Sequence, residues 1–173
     1  MPAEKTFVGL PDAERTIEAL ADRMRGAVAF DAKFVGIYSG GAWIAERLAA
    51  MIDGDHPVGF IDVSFYRDDF SRTGLKPEVK RTELPFDVEG ATIVLVDDVL
   101  YTGRSVRAAI NELFDFGRPA KIELAVLIDR GGRELPIEPD YAGARLAVAR
   151  ELSIVLSRDG ERLALGVEPV PST

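Results

Sequence analysis

The chain has 173 residues, 47% of them hydrophobic and 8% aromatic, long enough for one sizeable core and short for two ordinary domains, so a single domain over 1–173 is expected. Asp and Glu number 29 against 21 Lys and Arg, and the net charge of −8 favours solubility and works against indiscriminate attraction to nucleic acid or anionic membrane. With no cysteine and one histidine, a disulfide framework, a thiolate nucleophile and a cysteine metal site are excluded.

The amino-terminal Met-Pro-Ala-Glu-Lys-Thr-Phe-Val has neither the basic start nor the apolar run of a signal peptide. No apolar run approaches the ~20 residues of a membrane span, so a cytoplasmic location is expected. Pro11-Asp-Ala-Glu14 reads as a helix start, with Ile17, Leu20, Met24 and Val28 at helical spacing and Gly26 placed to end the helix early. Phe34 to Tyr38 reads as a buried strand, Ser39-Gly-Gly41 as a tight turn, and Ala42 to Ile52 as a helix whose Ile44, Leu48 and Ile52 share a face. His56, in Asp53-Gly-Asp-His-Pro57, reads as a turn residue rather than a ligand or base, because a metal site normally takes several such ligands.

A second strand is predicted from about Val58 to Tyr66, with Phe60, Asp62, Ser64 and Tyr66 opposite Ile61, Val63 and Phe65. Arg67 to Glu83 is polar, contains Gly74 and Pro77, and has the length of a lid. Thr92 to Val96 is apolar on consecutive residues, as in a central parallel strand covered on both faces. A helix from near Ser105 carries Val106, Ala109 or Ile110, and Leu113, and Gly117 and Pro119 stop it. Ile122 to Ile128 is another buried strand, and the apolar pieces Leu146 to Val148, Ser153 to Leu156 and Leu163 to Val167 suggest a small β-rich appendage. Alternating strands and helices point to an open α/β sheet, which binds ligands beyond the carboxyl ends of its strands.

The informative stretch is Val94-Leu-Val-Asp-Asp-Val-Leu-Tyr-Thr-Gly-Arg-Ser-Val106. A helix start supplies unpaired N–H groups and positive dipole, Gly103 admits close approach, and Thr102 and Ser105 add hydroxyls, which together suit a phosphate. Asp97 and Asp98 would repel a phosphate but accept hydrogen bonds from vicinal hydroxyls, so a sugar phosphate satisfies both halves. Taken singly, each residue reads as an ordinary strand end, turn or helix cap; the ordered combination is what points to function.

That stretch resembles the phosphoribosyl pyrophosphate (PRPP) motif of type I phosphoribosyltransferases. With Ile61-Asp-Val-Ser-Phe-Tyr-Arg-Asp-Asp69, Gly117-Arg-Pro119 and Leu127-Ile-Asp-Arg-Gly-Gly-Arg-Glu-Leu-Pro136, the chain from Val35 to Tyr141 resembles the PyrR family, regulators of pyrimidine-operon attenuation that are also uracil phosphoribosyltransferases. The resemblance implies an open, mainly parallel twisted sheet flanked by helices, with a small β-rich hood. It implies conversion of uracil and PRPP to UMP and pyrophosphate, with Mg²⁺ held through PRPP oxygens and water and no direct protein ligand. Asp97 and Asp98 would hold the ribose hydroxyls, the turn Val99, Leu100, Tyr101, Thr102, Gly103, Arg104 and Ser105 would hold PRPP with the 5′-phosphate at Thr102 to Ser105, and Ser39, Gly40 and Gly41 would meet pyrophosphate. Arg67, Asp68 and Asp69 would open a closing segment to which Arg81 brings charge, and Asp129 and Arg130 would face the pyrophosphate and base region. A homo-oligomer, dimer or tetramer, is the family habit.

Three departures stand out against the family pattern. Ser39-Gly-Gly41 replaces the frequent Thr-Arg-Gly, Gly132 stands where histidine is usual, and Ala142 to Arg150 replaces a polar, basic segment. An alternative function is a UMP- or PRPP-sensing regulator that binds pyrimidine-operon mRNA through Arg118, Lys121, Arg130, Arg133, Arg145 and Arg150. Glu18 and Asp22 on the first helix oppose it, and the same arginines also read as a solvated surface. A third reading, a phosphoacceptor domain, would put its acids nearer the amino terminus and leaves Thr102 to Ser105 without a task.

Overall fold

The computed structural model describes residues 9–63 and 81–171. The expected lid from Arg67 as far as residue 80, the catalytic expectations Arg67, Asp68 and Asp69, and the strand positions Ser64 to Tyr66 lie outside the described residues.

Helix α1 spans Ala13–Met24 and begins at Asp12, whose carboxylate accepts the Arg15 amide at 2.9 Å, a side-chain cap on an otherwise unpaired donor. It buries Ile17, Leu20, Ala21 and Met24 and ends before Gly26, whose φ of 78° is the left-handed conformation glycine tolerates. Val28 therefore lies outside the helix, although it still packs on the same core. Strand β1 is Lys33–Ile37 and helix α2 is Gly40–Met51. The expected turn glycines are thus the first turn of α2, because the Ser39 carbonyl already accepts the amides of Ala42 and Trp43.

Strand β2 is only Val58–Ile61 and ends earlier than its alternation suggested. Its outer edge is covered by Glu83, which exchanges two main-chain hydrogen bonds with Phe60 at 2.7 and 2.9 Å. Strand β3 is Thr92–Leu100, helix α3 is Arg104–Asp115 and strand β4 is Lys121–Asp129. The two central strands run to nine residues each, so Asp97 and Asp98 lie inside β3 rather than beyond it. Strand β5, Tyr141–Arg145, was not foreseen. Its small residues explain both its weak signal and its place: a Cβ on Gly143 would meet the Leu127 carbonyl at 2.6 Å and Thr16 of α1 at 2.7 Å. Strands β6, Leu152–Asp159, and β7, Arg162–Pro169, form an antiparallel hairpin, while Leu146 to Val148 belongs to no strand.

The main sheet has the order β2-β1-β3-β4-β5, and all its described pairs are parallel. Helices α1 and α2 cover one face, in a core with Ile17, Leu20, Phe34, Ile44, Leu48, Val94 and Val96. Helix α3 covers the other with Val35, Ile37, Ile93, Leu95, Val106 and Leu113. Burying side chains of this size stabilises the fold by about 1.5–3 kcal/mol each. His56 is buried as well, its ring edge-on to Phe34 and its nitrogens 2.8 and 3.2 Å from the carbonyls of Ala32 and Asp53, which supports the structural role expected for it.

The β6–β7 hairpin is fastened to the helices by Glu14. Its carboxylate accepts from Arg47 of α2 at 2.7 and 3.2 Å and from the Leu163 amide at 2.9 Å. The Arg47 bond first, and the Leu163 bond second, hold the Glu14 carboxyl below its ordinary pKa. A depressed carboxyl contributes stability that is present above the unfolded pKa and is lost as pH falls through the folded one. Glu14→Gln is therefore expected to lower stability by about 1 kcal/mol at pH 7, allowing for solvent screening, and the gap from wild type should close below about pH 4. Urea unfolding of both proteins at the two pH values checks this.

Candidate active site

The chain leaves β1 for β2 on one side and returns to β3 on the other, so the carboxyl ends of β1 and β3 border a switch point. Pairing of β3 with β1 stops at Gly36 and Val96, whereas pairing with β4 continues to Leu100 and Asp129. Asp97 to Leu100 thus emerges on the β1 side without a neighbouring strand. The space beside it is a cavity of about 530 Å³, lined on one wall by Asp97, Asp98, Tyr101, Thr102 and Ser105.

Each acid is held by the chain beside it. One Asp97 oxygen accepts the Asp98 amide and one Asp98 oxygen accepts the Val99 amide, both at 2.8 Å. The turn that follows is equally fixed: the Thr102 hydroxyl accepts the Arg104 amide at 3.2 Å, and the Thr102 carbonyl accepts the amides of Glu134 and Leu135 at 3.0 and 3.1 Å. Gly103 has φ 96°, a conformation that other residues rarely adopt, and it turns the chain into α3. Ser105 in the first turn of α3 places its hydroxyl at a helix start.

Ser39, Gly40 and Gly41 reach this wall from β1. A Cβ on Gly40 would meet the Asp98 carboxylate, with its Cγ at 2.9 Å, and one on Gly41 would meet the Val96 carbonyl at 2.5 Å. No side chain fits between the loop and the strand, so main chain of the expected pyrophosphate loop lies directly against the acidic pair.

Arg130 lines the same cavity. It is 8% exposed, and its guanidinium donates to the carbonyls of Leu152 at 2.9 Å, Ala149 at 3.2 Å and Val148 at 3.3 Å while lying 4.0 Å from the centre of the Tyr101 ring. Burial lowers its pKa from the usual arginine value, with Tyr101 opposing the shift, and its buried Nε has no hydrogen-bond partner among the described residues. It organises the segment before β6. Asp129 is 5% exposed and engaged by Arg133 at 2.8 Å, Arg145 at 3.0 Å and the Gly131 amide at 3.0 Å. Arg133 also donates to the Tyr101 carbonyl at 3.0 Å. These arginines are internal cross-links, and only Arg118, Lys121 and Arg150 of the candidate basic surface remain exposed without such contacts to Asp129 or the 148–152 segment.

The fourth side of the cavity was not read from sequence. Leu152, Ser153 and Ile154 of β6 line it. The Val170 amide donates to the Glu151 carbonyl at 2.7 Å, which makes Leu152 opposite Pro169 a non-hydrogen-bonded pair. By alternation Ile154 opposite Val167 is another, so the main-chain N–H and C=O of Leu152 and Ile154 point away from β7. The Leu152 pair is taken by Arg130 and Ala149; that of Ile154 lies on the strand's outer edge.

Comparison with known proteins decides the family. Residues 11–148 match the phosphoribosyl transferase domain. The Bifunctional protein PyrR of Ralstonia nicotianae is 53% identical over 154 residues, covering 87% of this chain and 88% of that one. The chain belongs to the PyrR family. The PyrR protein of Pseudomonas syringae pv. syringae is 46% identical over 165 residues, covering 93% and 96%. Among solved structures, a purine phosphoribosyltransferase from Pyrococcus horikoshii has a TM-score of 0.58 at 30% identity, covering 79% of this chain and 85% of that one. A hypoxanthine-guanine phosphoribosyltransferase from Bacillus anthracis has a TM-score of 0.67 at 18% identity, covering 90% and 95%. The chain therefore has the type I phosphoribosyltransferase fold, with the β6–β7 hairpin as its appendage. No helix among the described residues is long and apolar enough to cross a membrane.

Gly132, one of the departures from the PyrR pattern, has φ 74°, and a Cβ there would meet the Tyr101 ring, with Cδ2 at 2.7 Å. Gly132→Ala is expected to destabilise the protein by about 1–3 kcal/mol through backbone strain and displacement of Tyr101. Chemical denaturation, with the near-ultraviolet tyrosine signal as a local probe, checks both effects.

Proposed function

We propose that this chain transfers the phosphoribosyl group of PRPP to uracil, releasing pyrophosphate and forming UMP. The observation that carries the reading is a cavity in which two carboxylates of β3 stand beside a phosphate-type helix start, in a member of the PyrR family. Asp97 and Asp98 accept hydrogen bonds from the ribose 2′- and 3′-hydroxyls. The amides and hydroxyls from Thr102 to Ser105 hold the 5′-phosphate, and the main chain of Gly40 and Gly41 receives the diphosphate.

The base lies between Tyr101 and the outer edge of β6, where the Ile154 N–H and C=O offer one donor and one acceptor to an imide edge. A uracil nitrogen forms the new bond to the anomeric carbon as the bond from that carbon to the diphosphate oxygen breaks, and the proton of that nitrogen leaves with the diphosphate. Positive charge that builds on the ribose ring is stabilised by the adjacent carboxylates, and catalysis rests on positioning and on exclusion of water. No side chain becomes covalently attached.

The donor set fits magnesium of a particular kind. Among the described residues no cluster of three or more His, Cys, Asp or Glu is placed to hold a metal ion, and Asp97 and Asp98 supply only a pair of carboxylates. That suits a hard cation that keeps waters and takes further oxygens from the substrate. Neutralisation of charge on the departing diphosphate is the chemistry magnesium supplies when bound.

Pyrophosphate release from PRPP and Mg²⁺ is expected with uracil, and not with hypoxanthine, orotate or no base. Asp97→Asn combined with Asp98→Asn should reduce kcat/KM by about a hundredfold or more, since each lost charge-assisted hydrogen bond is worth about 1.5–3 kcal/mol. Equal rates with and without uracil would reject the proposal. The word bifunctional in the relatives' names favours a second reading, a nucleotide-sensing regulator of pyrimidine-operon mRNA. Filter binding of leader RNA across a range of salt separates the two: affinity falling steeply with salt supports regulation, and a flat response counts against it.

A further inference from the structure

The cavity described above has an anionic lining on one side and a substrate that carries several negative charges, so the cations that face it matter. Arg104 is paired with Glu134 at 3.8 Å. Arg130 is clasped to three carbonyls and the Tyr101 ring. Arg150 is the remaining arginine on the lining, exposed, and among the described residues it has neither a hydrogen bond nor an ion pair.

Its backbone, in contrast, is tightly fixed. The residues that Arg130 grips, Val148, Ala149 and Leu152, flank Arg150 on both sides, and the Leu152 amide closes a turn on the Ala149 carbonyl at 3.0 Å. Arg150 and Glu151 form the tip of that turn. A buried guanidinium thus holds the main chain in place so that a second, solvated guanidinium stands at the cavity rim with all five donors available. The loop at Ser39 to Gly41 offers the substrate no cationic side chain.

We infer that Arg150 is a substrate-clamping residue, closing from the hood onto phosphate oxygens of the bound phosphoribosyl ligand. The inference rests on the phosphoribosyltransferase reading of the cavity and names a contact that this reading did not contain. The shared chemistry is a phosphate oxygen, and two groups carry it: the 5′-phosphate and the diphosphate. Arg130 acts as the positioning residue for this clamp, since it touches the turn and not the ligand.

The test is calorimetric binding of PRPP, UMP and inorganic pyrophosphate, each with Mg²⁺, to wild type, Arg150→Ala and Arg150→Lys. Arg162→Ala, which removes an exposed arginine of β7 outside the cavity lining, serves as the charge-matched control. Arg150→Ala should weaken PRPP about 10- to 100-fold with melting temperature unchanged, and Arg150→Lys should recover part of the loss, because lysine keeps the charge without the fork. Steady-state kinetics should show the loss chiefly in KM for PRPP rather than in kcat.

Loss of PRPP and UMP binding with pyrophosphate unaffected assigns the clamp to the 5′-phosphate. Loss of PRPP and pyrophosphate binding with UMP unaffected assigns it to the diphosphate. Wild-type binding that Arg150→Ala leaves unchanged, or that Arg162→Ala weakens equally, overturns the clamp alone. Failure of wild type to bind any of the three overturns the cavity reading together with the clamp.

Discussion

The site depends on a contact between two stretches of main chain with no side chain between them. The first turn of α2 lies against the carboxyl end of β3, and Gly36, Gly40 and Gly41 make this possible: a Cβ on Gly36 would meet the Ala42 Cα at 2.6 Å, and those on Gly40 and Gly41 would meet Asp98 and Val96. Because protein interiors are close-packed, such a contact leaves little latitude. It brings a helix start and a carboxylate pair to one place, although the helix favours anions and the pair repels them. A ligand with hydroxyls and phosphates is what resolves that opposition.

Sequence made the central part of this arrangement legible. Four consecutive apolar residues from Ile93 to Val96 call for a strand covered on both faces, and the acids that follow continue that strand past its last partner in β1. Gly103 and Ser105 declared the turn and helix through backbone freedom and hydroxyl chemistry. The charged residues were harder. Arg130 looks in sequence like a surface cation, and it is buried because carbonyls far along the chain satisfy it, whereas half-buried Arg133 pairs with Asp129 only four residues away. Nothing local in the sequence announces partners 18 to 22 residues away.

Strand β5 escaped for a related reason. Ala142, Gly143 and Ala144 lack the β-branched signature of a strand, yet smallness is what α1 requires of the strand it covers. Tertiary fit decided the element there, and local propensity did not. The hairpin was legible as β-rich, whereas its role as a cavity wall came from the Glu14 and Arg130 attachments, which join it to α1, α2 and β4.

The outer edge of β6 gives this wall an unusual kind of robustness. The groups that Ile154 turns away from β7 belong to the backbone, and every amino acid except proline carries both of them. Side chains at Leu152, Ser153 and Ile154 are then free to drift with the packing beneath them while the hydrogen-bonding face stays constant. What such a wall does not tolerate is a change in register, since a shift of one residue would turn these groups inward to β7 and bring forward a pair already bonded there.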